Sequence, residues 1–171
     1  SASVISESGM PLTKDTLLFV VSQSGETKDV LNAIEAARRS GMTIYGLVNV
    51  IGSTLTQISE RWLPLVCGYE ISVPATKTFT NQAIAFMYLA HRLANRSTET
   101  LFALPELIRL TTEQCAAAVE ALAAELAGAD DLYCLGYGLT YSTALEGALK
   151  LKEITYAHCE GMLSTEFKHG P

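Results

Sequence analysis

With 171 residues, 49% of them hydrophobic and 18% charged, the chain has the composition of one globular domain or two small ones, not of a disordered polymer. A formal net charge of −6 and the lack of a basic run exclude nucleic acid as a partner, because binding a phosphate backbone needs clustered Lys and Arg. No apolar run approaches the ~20 residues that span a bilayer, and no basic-then-apolar leader is present, so a soluble, cytoplasmic protein without a membrane partner is expected.

Val4-Ile5 reads as the end of a strand and residues 6–9 as a turn. Leu17 to Val21 then form five apolar residues in a row, the pattern of a strand buried on both faces. They stop at Ser22-Gln23-Ser24-Gly25-Glu26-Thr27, and a helix follows to about Arg39 with Val30, Leu31, Ile34 and Ala37 on its apolar side. A strand, a tight corner and a helix start direct backbone N–H groups and the positive end of the helix dipole at one point, which suits a phosphate. The competing reading is a capped turn whose hydroxyls only satisfy the first helical N–H groups. A cap needs one hydroxyl, and Ser22, Ser24 and Thr27 supply three within six positions.

Ser40-Gly41 ends the helix, and Thr43 to Val50 is a second buried strand. A short helix over 55–59, capped by Ser53-Thr54, leads to a third strand at 62–66, with Pro64 marking an edge. A mixed loop over 68–77 precedes a long apolar helix, Thr78 to Leu93, expected to be core on most sides, with His91 in a structural position near its end. Strands alternating with helices imply an α/β layer, with ligands at the carboxyl ends of the strands.

From Leu101 to Ala127 two helices are expected, one led by Pro105 and one spanning the alanine-rich run from Cys115, as a packed connector. Leu132 to Gly136 is another short strand, followed by the corner 136–142 and a helix from Thr143 to about His158. This second strand-corner-helix unit suggests a duplicated α/β domain. On the helix, Glu146, Lys150 and Glu153 lie four and three apart and share a face. They form either a solvated salt-bridge ladder, worth a few tenths of a kcal/mol per pair, or a carboxylate and a lysine placed for acid–base work. His169 sits in a Gly-Pro turn, on the kind of loop where catalytic groups occur. Cys67, Cys115, Cys134 and Cys159 have no zinc spacing and are expected to be buried free thiols; no metal site is expected.

Four stretches together resemble the sugar isomerase (SIS) family: Ser22 to Thr27, Val73 to Thr80, Glu146 to Ile154, and Glu166 to Pro171. Within that family the likeness is to the isomerase region of the glutamine–fructose-6-phosphate aminotransferases, which convert fructose 6-phosphate, with ammonia from glutamine, to glucosamine 6-phosphate. The resemblance implies a doubly wound parallel α/β sheet, flavodoxin-like or Rossmann-like. It implies a first SIS domain over 1–98 lacking its N-terminal strand, a helical connector over 99–127, and the start of a second SIS domain over 128–171.

Ser22, Gln23, Ser24 and Thr27 would hold the sugar phosphate, and Val73 would line the sugar pocket through its backbone. Glu153 would move a proton between C1 and C2 with Lys150 beside it. His169 would assist ring opening from a neighbouring subunit, so a homodimer is implied. A glutaminase domain in the parent and no cofactor are also implied. Family members usually carry Ala-Ser where this chain has Pro74-Ala75, so one pocket hydroxyl is missing. The family's first strand, with a second phosphate contact, would precede residue 1. The remainder of the second domain and a Schiff-base lysine would follow residue 171, and the chain alone is expected to be inactive. Two alternatives are a stand-alone SIS enzyme, such as a glucosamine-6-phosphate deaminase, and a non-catalytic sugar-phosphate sensor, against which Glu153 and His169 count.

Overall fold

The computed structural model describes residues 13–170, so the strand end and turn expected within 1–9 lie outside it. The chain divides into two units, Ser1–Thr98 and Glu99–Pro171. The first contains β1 (Leu17–Ser22), α1 (Lys28–Arg39), β2 (Thr43–Val48), α2 (Thr54–Ile58), β3 (Arg61–Pro64) and α3 (Lys77–Leu93). The second begins with a 3-10 turn, Glu99–Ala103, and continues through α4 (Leu104–Leu126), β4 (Asp131–Gly136), α5 (Thr140–Thr155), β5 (His158–Leu163) and α6 (Ser164–Phe167).

In the first unit the sheet order is β1-β2-β3, all parallel, with Leu17 opposite Thr43 and Ser22 opposite Val48. Side chains alternate across a strand, so Val20, Ile44 and Val48 fall on one face, where Ile34 and Ala37 of α1 and Leu55 of α2 close over them. Ile34, Ile44 and Leu55 are at most 1% exposed. Each such side chain contributes roughly 1.5–3 kcal/mol by leaving water. Phe19 points the other way and meets the ring of Phe86 on α3 at 6.4 Å between centroids, and that of Tyr45 at 5.7 Å. Helices therefore contact both faces, and the fold is the doubly wound α/β arrangement that the family resemblance implies.

Two burial expectations are corrected. Leu17 and Phe19 are 45% and 38% exposed, so β1 is well buried only on the α1 side. Along α3 only Thr78 is buried, because a flat sheet receives one stripe of a helix and the described residues place nothing on the others. His91 of α3 is structural as read: its Nδ1 lies 2.6 Å from the Ser97 carbonyl oxygen. The third strand ends at Pro64, earlier than expected, and Val66 adopts a left-handed φ of 55°.

In the second unit β4 and β5 are parallel, Asp131 opposite His158 and Gly136 opposite Leu163. The helix expected from Thr143 to His158 instead spans Thr140–Thr155 and ends at Tyr156, whose φ of 61° breaks the helical path. The chain then enters β5, which periodicity did not disclose. Gly161 makes that strand possible: a Cβ there would approach the Leu145 Cα to 2.7 Å. The two helices expected between 101 and 127 are one, since Pro105 occupies the first turn, where it costs no hydrogen bond, and nothing after it interrupts the helix. None of its residues is buried, so α4 is not the packed connector expected.

The cysteines are free, but only Cys159 is buried, while Cys115 is exposed. Burial, and then Cys134 with its Sγ 3.9 Å away, pushes the Cys159 thiol up to about 11.

Replacing Ile34 by Ala opens a cavity at the centre of the first unit and is expected to cost about 2–5 kcal/mol. Urea unfolding followed by fluorescence of Trp62, the chain's single tryptophan and packed on the same core, measures it. Leu107→Ala on α4, at a position 53% exposed, is expected to cost less than about 1 kcal/mol in a urea titration followed by far-UV circular dichroism, which reports on the helices of both units.

Candidate functional site

The corner at the carboxyl end of β1 is tightly organised. Ser22, 6% exposed, accepts a 3.0 Å hydrogen bond from the Gly25 N–H at its Oγ, and the Ser24 Oγ accepts one of 3.1 Å from the Glu26 N–H. The Ser22 and Thr27 hydroxyl oxygens lie 3.5 Å apart. Thr27 occupies the N-cap position of α1, yet its side chain makes no cap hydrogen bond. The hydroxyls are therefore not capping the helix, which weighs against the capped-turn reading.

The geometry also changes which donors face outward. The Gly25 and Glu26 amides are taken by serine oxygens, so they are not the donors for a ligand. A serine oxygen that accepts from an amide still has its own hydrogen to give. The available donors are the Ser24 hydroxyl hydrogen, whichever of the Ser22 and Thr27 hydroxyl hydrogens is not spent on the bond between them, and the first-turn amides of α1, which have no intrahelical acceptor. With the positive end of the α1 dipole behind them, they suit an anion.

Gly25 is required here. Its φ is +69°, and an added Cβ would come within 2.1 Å of the Ser53 Oγ. Ser53 is 4% exposed, and its hydroxyl has no hydrogen-bond partner among the described residues.

Beside the corner, a cavity of about 560 Å³ is lined by Gln23, Asn49, Val50, Val66, Tyr69 and Glu70, among others. Asn49 shapes it from three sides. Its backbone N–H donates to the Gln23 carbonyl at 3.2 Å, its Nδ2 donates to the Gly68 carbonyl at 2.7 Å, and its Oδ1 accepts from the Cys67 N–H at 3.0 Å. Glu70 accepts from the Thr76 and Thr78 N–H groups at 3.2 and 3.0 Å and so caps the start of α3. These bonds, that of Thr78 foremost, hold the Glu70 carboxyl below its ordinary range. Val73 lies on the loop between Glu70 and α3, is 88% exposed, and is not part of the cavity lining.

In the second unit, Lys150 on α5 donates to Glu153 Oε2 at 2.5 Å and lies 3.6 Å from Glu146 Oε1. Their side chains are 19%, 27% and 26% exposed. A solvated ladder would leave all three open, and the stripe is half-buried instead. His169 follows α6 in a turn fixed by its own N–H donating to the Glu166 carbonyl at 2.9 Å; it is exposed, and its ring makes no hydrogen bond among the described residues. Ser22, Gln23, Ser24 and Thr27 are thus brought together in the first unit, and Lys150 with Glu153 in the second.

Sequence reasoning passed over Asn49, Glu26 and Glu70. Asn49 looked like a strand end, and the two carboxylates bond to backbone that only the fold brings near. For Glu70 a signal was available, a carboxylate shortly before the Thr-rich start of a helix.

A family model, the SIS domain, matches residues 2–92 and 125–171. Glutamine–fructose-6-phosphate aminotransferase [isomerizing] from Sulfurisphaera tokodaii is 40% identical over 158 residues, covering 92% of this chain and 27% of that protein. The protein of the same name from Synechocystis is 42% identical, covering 94% of this chain and 28% of that protein. The chain thus spans about a quarter of the length of these relatives. Among solved structures, the C-terminal domain of glucosamine-fructose-6-phosphate aminotransferase from Francisella tularensis superposes with a TM-score of 0.77 at 32% identity, covering 91% of this chain and 46% of that one. Glucosamine-6-phosphate deaminase from Thermotoga maritima superposes with a TM-score of 0.84 at 26% identity, covering 99% and 53%.

The crowding at Gly25 has a measurable consequence. Gly25→Ala is expected to destabilise the first unit by at least about 1 kcal/mol, from the left-handed φ and the contact with Ser53 together. Ser53→Ala removes a buried hydroxyl that has no partner and is expected to be neutral or stabilising by up to about 1 kcal/mol. Urea titrations of the two single variants and the double variant check both, with the double less destabilised than the sum of the singles.

Proposed function

The chain belongs to the SIS domain family, and from that premise we propose that it is the sugar-phosphate isomerase portion of a glutamine–fructose-6-phosphate aminotransferase. The observation that carries this reading is the Ser22–Thr27 corner, whose hydroxyl hydrogens and first-turn amides are left for an anion at the carboxyl end of β1. In this reading Ser22, Gln23, Ser24 and Thr27 hold the 6-phosphate of fructose 6-phosphate, and Val73 lines the sugar pocket through its backbone.

The reaction follows from the chemistry of the open-chain ketose. Ammonia, released from glutamine by a glutaminase domain of the parent protein, condenses at C2 with loss of water. Transfer of one proton from C1 to C2, with the C1 hydroxyl proton passing to the nitrogen, then moves the carbonyl to C1 and leaves an amine on C2, giving glucosamine 6-phosphate. Glu153 takes the proton from C1 and returns it at C2. Lys150, donating to Glu153 at 2.5 Å, fixes the direction of that carboxylate. His169, supplied by a neighbouring subunit of a homodimer, assists ring opening. Residues 1–98 form the first SIS domain, 99–127 a helical connector, and residues from 128 the beginning of the second.

A second reading is favoured by the likeness to the Thermotoga maritima deaminase. The same proton transfer run backward, with release of ammonia, would make the parent a deaminase. Glutamine-dependent formation of glucosamine 6-phosphate by the parent protein separates the two. The half-buried Lys150–Glu153 pair supports a catalyst over a sensor, since binding alone needs neither residue.

In the parent protein, Glu153→Gln is expected to lower turnover by about 10²–10⁴-fold while leaving sugar-phosphate affinity within threefold. Solvent-deuterium incorporation at C1 and C2 is the measurement, and incorporation at the normal rate would remove Glu153 from the base role. Thr27→Val is expected to raise the KM for fructose 6-phosphate by about tenfold with little change in kcat, because the lost bond is to the remote phosphate. Steady-state kinetics read that division directly.

A further inference from the structure

The corner that holds the anion in the proposed function is itself held by a residue outside its hydroxyl set. Glu26 turns away from the corner and grips the start of α2: Oε1 accepts from the Thr54 N–H at 2.6 Å and Oε2 from the Thr54 hydroxyl at 2.8 Å. One residue earlier, the Gly25 carbonyl accepts from the Leu55 N–H at 3.1 Å. Side chain and main chain of consecutive corner residues are thus fastened to consecutive residues of α2, with Glu26 and Thr54 separated by 28 positions. The Glu26 N–H, in turn, donates to the Ser24 Oγ. A shift of Glu26 therefore moves the atom that orients the Ser24 hydroxyl.

A carboxylate at the mouth of an anion site would ordinarily oppose binding. Here the Thr54 N–H, and then the Thr54 hydroxyl, hold the Glu26 carboxyl below its ordinary range, and they keep it directed at α2 instead of at the ligand. We propose that Glu26 is the positioning residue of the anion corner, with Thr54 as its anchor, setting the direction of the Ser24 hydroxyl without touching the ligand. The inference rests on the reading of that corner as the phosphate site.

The test uses the parent protein, with fructose 6-phosphate and inorganic sulfate as probes and isothermal titration calorimetry as the readout. Glu26→Ala and Glu26→Gln both remove the charge, but only Gln keeps an acceptor for the Thr54 N–H. If the charge alone mattered, both would bind anions more tightly. Positioning instead requires Glu26→Ala to weaken binding by about tenfold, Glu26→Gln to stay within about threefold of the natural chain, and Thr54→Val to act in the same direction as Glu26→Ala. The double variant Glu26→Ala/Thr54→Val should lose no more than the worse single variant. An unchanged far-UV circular dichroism spectrum establishes that each variant is folded, and if Glu26→Ala fails this check Glu26→Asp, whose shorter side chain draws the carboxylate back from Thr54, takes its place and must weaken binding in the same direction. Natural protein whose affinity for both probes is unchanged by Thr27→Val overturns the phosphate reading and this inference with it. Natural protein that loses affinity with Thr27→Val, with Glu26→Ala binding equally well or better, overturns the inference alone.

Discussion

The parallel pairing of β1 with β2 runs in one unbroken register, from Leu17 opposite Thr43 to Ser22 opposite Val48. Because side chains alternate with a period of two, this register decides at once which residues become core and where the strand lets go of its last hydroxyl. Val20 meets Ile34 and Ile44 under α1, and two positions on, Ser22 arrives on the same buried face with its Oγ able to reach back to the Gly25 N–H. A slip of one residue would turn Phe19 into the space below α1 and direct Ser22 to the opposite side. The hydrophobic packing of the first unit and the geometry of its hydroxyl corner are consequences of one alignment.

Around that alignment the polar groups are divided by task. Carboxylates that could repel an anionic ligand are used as helix-start acceptors: Glu26 on α2 and Glu70 on α3. Both lie below their ordinary range when folded, for the same reason, a backbone N–H pointed at the charged form. Their contribution to the loops around the cavity is thus present at neutral pH and lost as acidity rises through the lowered values. Hydroxyls do the complementary work, accepting from the corner amides while keeping a hydrogen for the outside. In the second unit the pattern is different, with the Lys150 ammonium drawn between two carboxylates on one half-buried face.

Much of this was visible in the sequence, and the misses share a physical cause. The strong periodicities of β1, α1 and β2, and the hydroxyl-rich corner between them, were legible because each is encoded by neighbours. The spacing of Glu146, Lys150 and Glu153 placed them on one face for the same reason. By contrast, β5 was lost because Tyr156, the residue that ends α5, is neither Gly nor Asn, so nothing local announced the break. Burial of α3 and α4 was overestimated because an apolar residue reports its own solubility and not whether a neighbouring surface exists. Glu26 was passed over because its partner Thr54 is remote in sequence and becomes adjacent only when α2 packs over β2.

The helix α4 bears on how the chain opens as much as on how it folds. It runs for 23 residues, about 34 Å at 1.5 Å per residue, with no buried side chain and no side-chain N-cap. Its stability rests on alanine propensity and on local ion pairs such as those of Arg109 with Glu106 and Glu113, each worth a few tenths of a kcal/mol. Amides along α4 therefore exchange with solvent through local fraying that leaves the sheets intact, while those between β1 and β2 wait for the first unit to unfold. The chain has at least two scales of opening, and its longest helix belongs to the faster.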